Sequence, residues 1–183
     1  LPSPEWKMNT HNFGWYKGDT WNLGVGQGYI NATPLQLAYY SAFLATKGRL
    51  NNFSFVQDSK DHKKDTFISE NINQNDWAKI HESMVGVIEN PKGTAGRLRA
   101  LKDYIVAAKS GTVELVSTET KEDYQIIREI EGQRDHAIII AFGPMPNPEY
   151  AVSVVIENGE SGGSVAGPVA IAVLNSLIKE WTN

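Results

Sequence analysis

An α+β fold with an antiparallel sheet is what this sequence predicts, and two observations predict it. Over residues 33–48 and about 76–101, apolar residues recur at helical spacing between Gly- and Pro-containing breaks, and they do so again after Gly167. Between 104 and 157 the pattern changes to short apolar runs joined by turns and a charged connection, the mark of strands. Helices, then strands, then a closing helix is the order of helices layered on an antiparallel sheet. A chain of 183 residues is long enough for one medium-sized core.

Residues 1–32, rich in Gly, Asn and Trp with little periodicity, read as ordered loop. Thr33-Pro34-Leu35-Gln36 then combines a capping residue, proline at the first helical position and Gln three places after the cap. Leu35, Ala38, Ala42 and Ala45 follow at helical spacing, and Lys47-Gly48 closes the helix. Residues 49–74 are polar, with a Lys/Asp-rich stretch from Asp58 to Asp65, and read as a surface excursion. A second helix runs from about Asp76 with Trp77, Ile80, Met84 and Val87 on one face, and Asn90-Pro91 stops it. Thr94 caps a short third helix through Leu101.

Tyr104 to Val116 is the first strand. A charged connection, about Ser117 to Asp135, leads to the run His136–Phe142, and the turn Gly143–Pro148 returns the chain antiparallel through Tyr150–Glu157. In that last strand Tyr150, Val152, Val154 and Ile156 share one face, and Ala151, Ser153 and Val155 the other. A Gly-rich loop, Asn158–Gly167, opens into a closing helix with Val169, Ala172, Val173, Leu177 and Trp181. The strand Tyr150–Glu157 reads as interior, yet no further strand is at hand to pair with its outer edge, and an open apolar edge invites aggregation. The expectation is therefore that strands preceding Leu1 complete the sheet, and that residues 1–183 are the C-terminal portion of a single domain that does not fold alone.

Composition excludes several functions. The net charge of −4 and the lack of a basic tract argue against nucleic acid as a partner. No stretch approaches the roughly 20 apolar residues of a membrane span. Cysteine is absent, which suits an exported bacterial protein as well as a cytosolic one. His136 opens a strand and reads as a hydrogen-bonded structural residue rather than a ligand, and His11, His62 and His81 lack ligand spacing with each other, so no metal is expected.

The residues that carry chemistry are Lys109-Ser110-Gly111-Thr112, which follow the apolar run Tyr104–Ala108. A lysine and two hydroxyls around a glycine on a strand can grip an anion through side chains and backbone together. Glycine at 111 lets a ligand lie close against the strand, and places the Thr112 N–H where it can donate to an oxyanion. The same four residues also suit a solvated strand end, so the quartet gains its weight from the rest of the chain. Gly26-Gln27-Gly28 reads either as a wall of a site or as a tight turn, and no Lys-Ser/Thr follows it as a phosphate loop requires. Gly162-Gly163 reads as a flexible loop or as a helix N-terminus able to hold an anion. Trp15, Tyr16 and Trp21 read as core or groove wall. The long 117–135 connection, which follows the quartet directly, reads as the rim of a site.

Several segments in one order carry a resemblance. Gly18-Asp19-Thr20, Gly24-Val25-Gly26-Gln27-Gly28-Tyr29, Ala32-Thr33-Pro34-Leu35-Gln36-Leu37-Ala38, Ala107–Thr112, Arg134-Asp135-His136-Ala137, Ala141-Phe142-Gly143-Pro144 and Glu157-Asn158-Gly159 resemble class B penicillin-binding proteins, most of all the elongation transpeptidases called penicillin-binding protein 2. The likeness spans nearly the whole chain and weakens at 49–75 and 117–133. It implies the transpeptidase/β-lactamase-like fold, an antiparallel sheet between helical layers, of which this chain would supply the last three strands and the C-terminal helix.

The family's nucleophilic serine and lysine base lie in a Ser-x-x-Lys element followed by Ser-x-Asn, with Lys-Ser-Gly-Thr third. The first two precede the Gly-Gln-Gly region in chain order and so would lie before Leu1. Ser176-Leu177-Ile178-Lys179 and Ser69-Glu70-Asn71 imitate them in the wrong order and are rejected. By the resemblance, Lys109, Ser110, Gly111 and Thr112 are catalytic. The Lys109 ammonium would hold the upstream Ser-x-Asn hydroxyl and favour a substrate carboxylate, the Ser110 and Thr112 hydroxyls would bind that carboxylate, and the Thr112 N–H would form half of an oxyanion hole. The implied activity is a peptidoglycan D,D-transpeptidase that uses no cofactor, binds stem peptides and β-lactam antibiotics, and acts from a periplasmic domain anchored in the inner membrane. The implied partners are the rod-shape elongation complex, with its scaffold protein MreC and glycosyltransferase RodA, and the remainder of the same domain. A non-catalytic interaction module of the same fold, or a β-lactamase or β-lactam sensor, are the other readings.

Overall fold

The computed structural model describes residues 2–50, 66–67, 72–116, 120–130 and 132–180. The chain divides into two compact units, Leu1–Thr33 and Pro34–Asn183.

The first unit is helical where loop was expected. Helix α1 (Pro4–His11) starts at Ser3, whose hydroxyl accepts from the Trp6 N–H at 3.1 Å, and ends at Asn12 in the left-handed region, φ 59. Helix α2 (Lys17–Gly24) opens with Asp19, whose carboxylate accepts from the Tyr16 N–H at 2.7 Å. The same carboxylate takes the Lys7 ammonium at 2.6 Å, and Lys7 lies 4.6 Å from the Tyr16 ring centre and 5.3 Å from that of Tyr29. Lys7 is thus buried but fully partnered, its ammonium held above the usual lysine range by Asp19, and the Asp19 carboxyl is held down by Lys7. Gly26 and Gly28 both have positive φ (80 and 75), so Gly26-Gln27-Gly28 is a tight turn. Tyr16 and Trp21 are exposed, and the Trp15 indole donates to the Thr20 hydroxyl at 2.9 Å.

The second unit is an α/β/α sandwich. Helix α3 (Pro34–Ala45) begins at the expected proline and ends at Lys47-Gly48, where the Gly48 N–H donates to the Phe43 carbonyl at 2.9 Å. Its buried face is Ser41, Leu44 and Ala45 rather than Leu35 and Ala38, because the helix is apolar on nearly every side and spacing alone does not choose. Ser41 decides the docking: its buried hydroxyl donates to the Ala141 carbonyl at 3.0 Å. Strands β1 (Arg49–Leu50) and β2 (Thr66–Phe67) form a short antiparallel pair, while the Asp58–Asp65 stretch and Ser69-Glu70-Asn71 lie outside the described residues.

Helix α4 (Gln74–Glu89) is capped by Asn73 and buries Trp77, His81, Met84 and Ile88, a stripe rotated slightly from the expected one. His81 is accommodated because its Nε2 lies 2.8 Å from the Leu44 carbonyl. A 3₁₀ helix follows at Gly96–Leu101.

The sheet consists of β3 (Ala107–Val113), β4 (His136–Gly143) and β5 (Tyr150–Ile156), antiparallel in the order β3-β4-β5. Its central strand is β4, not the final strand that the sequence marks as interior; β5 is half-buried at every position. Helix α5 (Lys121–Glu129) lies within the expected connection, and helix α6 (Gly167–Glu180) closes the chain after a π turn at Gly162–Ala166. One sheet face packs Val106, Ala108, Ile139 and Ala141 against Ala170, Ile171 and Leu174 of α6. The other packs Ala107, Ile140 and Phe142 against α3 and α4. Helix α6 presents Ala170, Ile171 and Leu174 inward and leaves Val169 and Val173 exposed, because it too is apolar on two sides and the small Ala170 sits against the sheet. Trp181 lies outside the described residues.

Candidate active site

Strand β3 leaves the core at the quartet. Val106, Ala107 and Ala108 are wholly buried, whereas Lys109 and Thr112 are exposed and Ser110 and Gly111 half-buried. Lys109, Ser110, Gly111 and Thr112 face Ile140, Ile139, Ile138 and Ala137 of β4, which leaves the far side of β3 as an edge of the described sheet. Alternation along the strand sends Lys109 to the face of α3 and α4, and Ser110 and Thr112 to the face of α6.

Each polar side chain of the quartet has a defined contact. The Lys109 ammonium donates to the Ser110 carbonyl at 2.6 Å. The Ser110 hydroxyl lies 2.9 Å from the Thr94 hydroxyl. The Thr112 hydroxyl donates to the Glu160 carbonyl at 3.2 Å. An open groove of about 650 Å³ runs beside Lys109, lined by Glu82, Ser83, Gly86 and Val87 of α4 and by Asn90, Lys92, Gly93 and Thr94 after it. Two lysines against one glutamate, with the Thr94 hydroxyl, leave the lining net positive and suit a carboxylate or another small anion.

The backbone around Gly111 is set by glycines. A Cβ on Gly162 would stand 2.6 Å from the Gly111 carbonyl oxygen and 2.1 Å from that of Ile138, and a Cβ on Gly163 would stand 2.4 Å from the Thr94 carbonyl. Gly162-Gly163 is therefore a buried wedge between β3 and Thr94, which accounts for both glycines without flexibility or a bound anion. At Gly111 itself a Cβ would meet Ile138 only at 3.7 Å, an ordinary contact. Packing within the chain does not demand glycine there.

The 117–135 connection is tied back to the quartet. In α5 the Arg128 guanidinium donates twice to the Glu160 carboxylate, at 2.8 and 2.7 Å, and the Tyr124 hydroxyl donates to Asp135 at 2.7 Å. The Glu160 N–H donates to the Asp135 carbonyl at 2.8 Å, with Glu160 in the left-handed region at φ 62. Arg128 holds the Glu160 carboxyl below the usual carboxylate range, and the hydrogen bond to Asp135 with burial pushes the Tyr124 phenol up. His136 is structural: its Nδ1 accepts from the Asn158 N–H at 3.0 Å.

Sequence reasoning isolates the quartet but not its supports. Thr94 is expected to cap a helix, yet the cap position falls on Ala95 and the Thr94 hydroxyl turns to Ser110. Glu160 and Arg128 carry no local signal, because their pairing spans 32 residues. Ser176 and Lys179 lie on α6.

The family profile of the penicillin binding protein transpeptidase domain matches residues 1–175. The chain belongs to this transpeptidase family. Among curated relatives, penicillin-binding transpeptidases named peptidoglycan D,D-transpeptidase MrdA are similar to it. That of Escherichia coli strain K12 is 33% identical over 172 residues, covering 90% of this chain and 27% of the relative. That of Acinetobacter baumannii is 36% identical over 177 residues, covering 90% and 25%. The chain thus spans about a quarter of the length of these relatives. Among solved structures, Pseudomonas aeruginosa PBP2 in complex with WCK 5153 aligns with a TM-score of 0.76 at 34% identity, over 97% of this chain and 37% of that one. The complex between PBP2 and MreC from Helicobacter pylori aligns with a TM-score of 0.78 at 28% identity, over 97% and 30%.

Proposed function

We propose that residues 1–183 are the C-terminal portion of one penicillin-binding transpeptidase domain, and that the whole domain is a serine-type peptidoglycan D,D-transpeptidase of cell elongation. In this reading the serine nucleophile and lysine base belong to a preceding part of the same domain. The serine oxygen attacks the penultimate D-Ala carbonyl of a stem peptide, D-alanine leaves, and the acyl group passes to an amine of a second stem. Lys109, Ser110 and Thr112 supply the anion-gripping rim, with Thr112 giving its N–H to the oxyanion and Gly111 letting the substrate lie along the strand. The observation that carries the reading is the quartet on the edge strand β3, with Lys109 and Thr112 exposed, Lys109 lining a groove, and three buried residues directly before it.

Two surfaces support the larger domain. β5 is half-buried along its whole length with no further strand paired to it among the described residues, and Val165, Val169 and Val173 form an exposed apolar stripe at the start of α6. The remainder of the domain would cover both. By family, the protein would act in the periplasm from an inner-membrane anchor; no helix among the described residues is long and apolar enough to cross a membrane. Stem peptides and β-lactams would be its ligands, and the elongation complex, with MreC and RodA, its partners; the PBP2–MreC complex of Helicobacter pylori supports the first of these two. The test is labelled-penicillin acylation of the full-length protein and its Lys109→Ala variant. Strong labelling that falls sharply in the variant is expected, and undiminished labelling of the variant would refute the role of Lys109.

A further inference from the structure

Thr94 has a rigid backbone and an exposed side chain, a combination that packing does not explain. Its turn is pressed onto the end of α4, where a Cβ on Gly93 would stand 2.3 Å from the Val87 carbonyl oxygen. The next residue, Ala95, is 2% exposed and donates its N–H to that same carbonyl at 3.0 Å. From the other side, Gly163 lies against the Thr94 carbonyl. The main chain of Thr94 is thus fixed on both sides, and what it presents to the groove is one hydroxyl, 2.9 Å from that of Ser110.

We infer that Thr94 is a positioning residue that aims the Ser110 proton at the carboxylate of the bound ligand. The inference rests on the transpeptidase reading above. A hydroxyl carries one proton and can accept two bonds. When Thr94 donates to Ser110, the only Ser110 proton is left for a ligand oxygen at the margin of the groove that Thr94 lines, and the chain Thr94–Ser110–carboxylate polarises in one direction. If Ser110 instead donated to Thr94, it would offer the ligand only lone pairs, which a carboxylate repels. A bound anion selects the first arrangement, and the fixed Thr94 backbone makes it available without reorganisation. Thr94 thereby sets selectivity for ligands that bear a carboxylate. Lys92 and Lys109, on the lining of the same groove with Glu82, leave it a net positive charge but give no such direction.

The experiment uses the full-length protein, with benzylpenicillin and its methyl ester as probes of acylation. Thr94→Val, and Thr94→Ala as a second form, are expected to lower the rate with benzylpenicillin by about tenfold, the upper scale of one neutral hydrogen bond. The rate with the ester should hold, so the acid-to-ester ratio falls, and Thr94→Ser should restore it. In a Ser110→Ala background, Thr94→Val should cost nothing more. Equal loss with acid and ester, an unchanged acid rate, or full additivity with Ser110→Ala would overturn the inference. Failure of the transpeptidase reading would appear separately, as no acylation of the unsubstituted full-length protein by benzylpenicillin.

Discussion

Gly162 lies directly over Gly111, so close that a methyl group on Gly162 would stand 2.6 Å from the Gly111 carbonyl oxygen. The loop after β5 and the strand that carries the quartet meet backbone to backbone. The two glycines nevertheless have different reasons to be glycine, and substitution separates them.

Gly162→Ala forces backbone against backbone, with nothing flexible to yield. The expected cost is about 1–3 kcal/mol of stability, as for overpacking in a dense core. The quartet shifts with it, so penicillin acylation falls as well. Thermal unfolding of the full-length protein, read beside labelling, checks both.

Gly111→Ala leaves the fold intact, because the new methyl meets Ile138 at an ordinary 3.7 Å and no positive φ is involved. Stability is expected to stay within about 0.5 kcal/mol. On the proposed reading acylation should still fall by about ten- to a hundredfold, since the methyl would stand where substrate is proposed to lie on the strand. Full acylation of this variant would show that ligand does not approach β3 there.

Ser41→Ala removes the buried donor that docks α3 on the central strand through Ala141. A loss of about 1–2 kcal/mol is expected from the unmet carbonyl. Denaturant unfolding measures it, and groove chemistry should change little.

The Arg128–Glu160 pair gives a pH dependence of definite sign. The folded-state carboxyl of Glu160 is depressed by Arg128, so the pair's contribution is fully present above the unfolded glutamate pKa, about 4.3. It is lost as pH falls through the depressed value. In Arg128→Gln the acid limb of the stability curve should therefore be shallower than in the unsubstituted protein. Unfolding midpoints measured from neutral pH down to about pH 3 test this, and coincident curves would count against the pair.

What could be read from the chain follows from how local each signal is. The long helix α4, the runs of β4 and β5 and the quartet announce themselves through spacing and turn residues a few positions apart. Helices α1 and α2 do not, because caps and the Lys7–Asp19 pair hold them rather than an apolar stripe. For α3 and α6 the existence of the helix is plain but not its buried face, since apolar residues surround both. The supports of the site are the least local of all. Thr94 meets Ser110 across 16 residues and Thr112 meets Glu160 across 48, and nothing near either position marks the partner.

Glu160 uses its two ends in different directions: its carboxylate holds a surface helix, and its carbonyl holds the Thr112 hydroxyl. A molecule that pried α5 from its seat would thus disturb the end of the quartet through one intervening residue, without touching the groove beside Lys109.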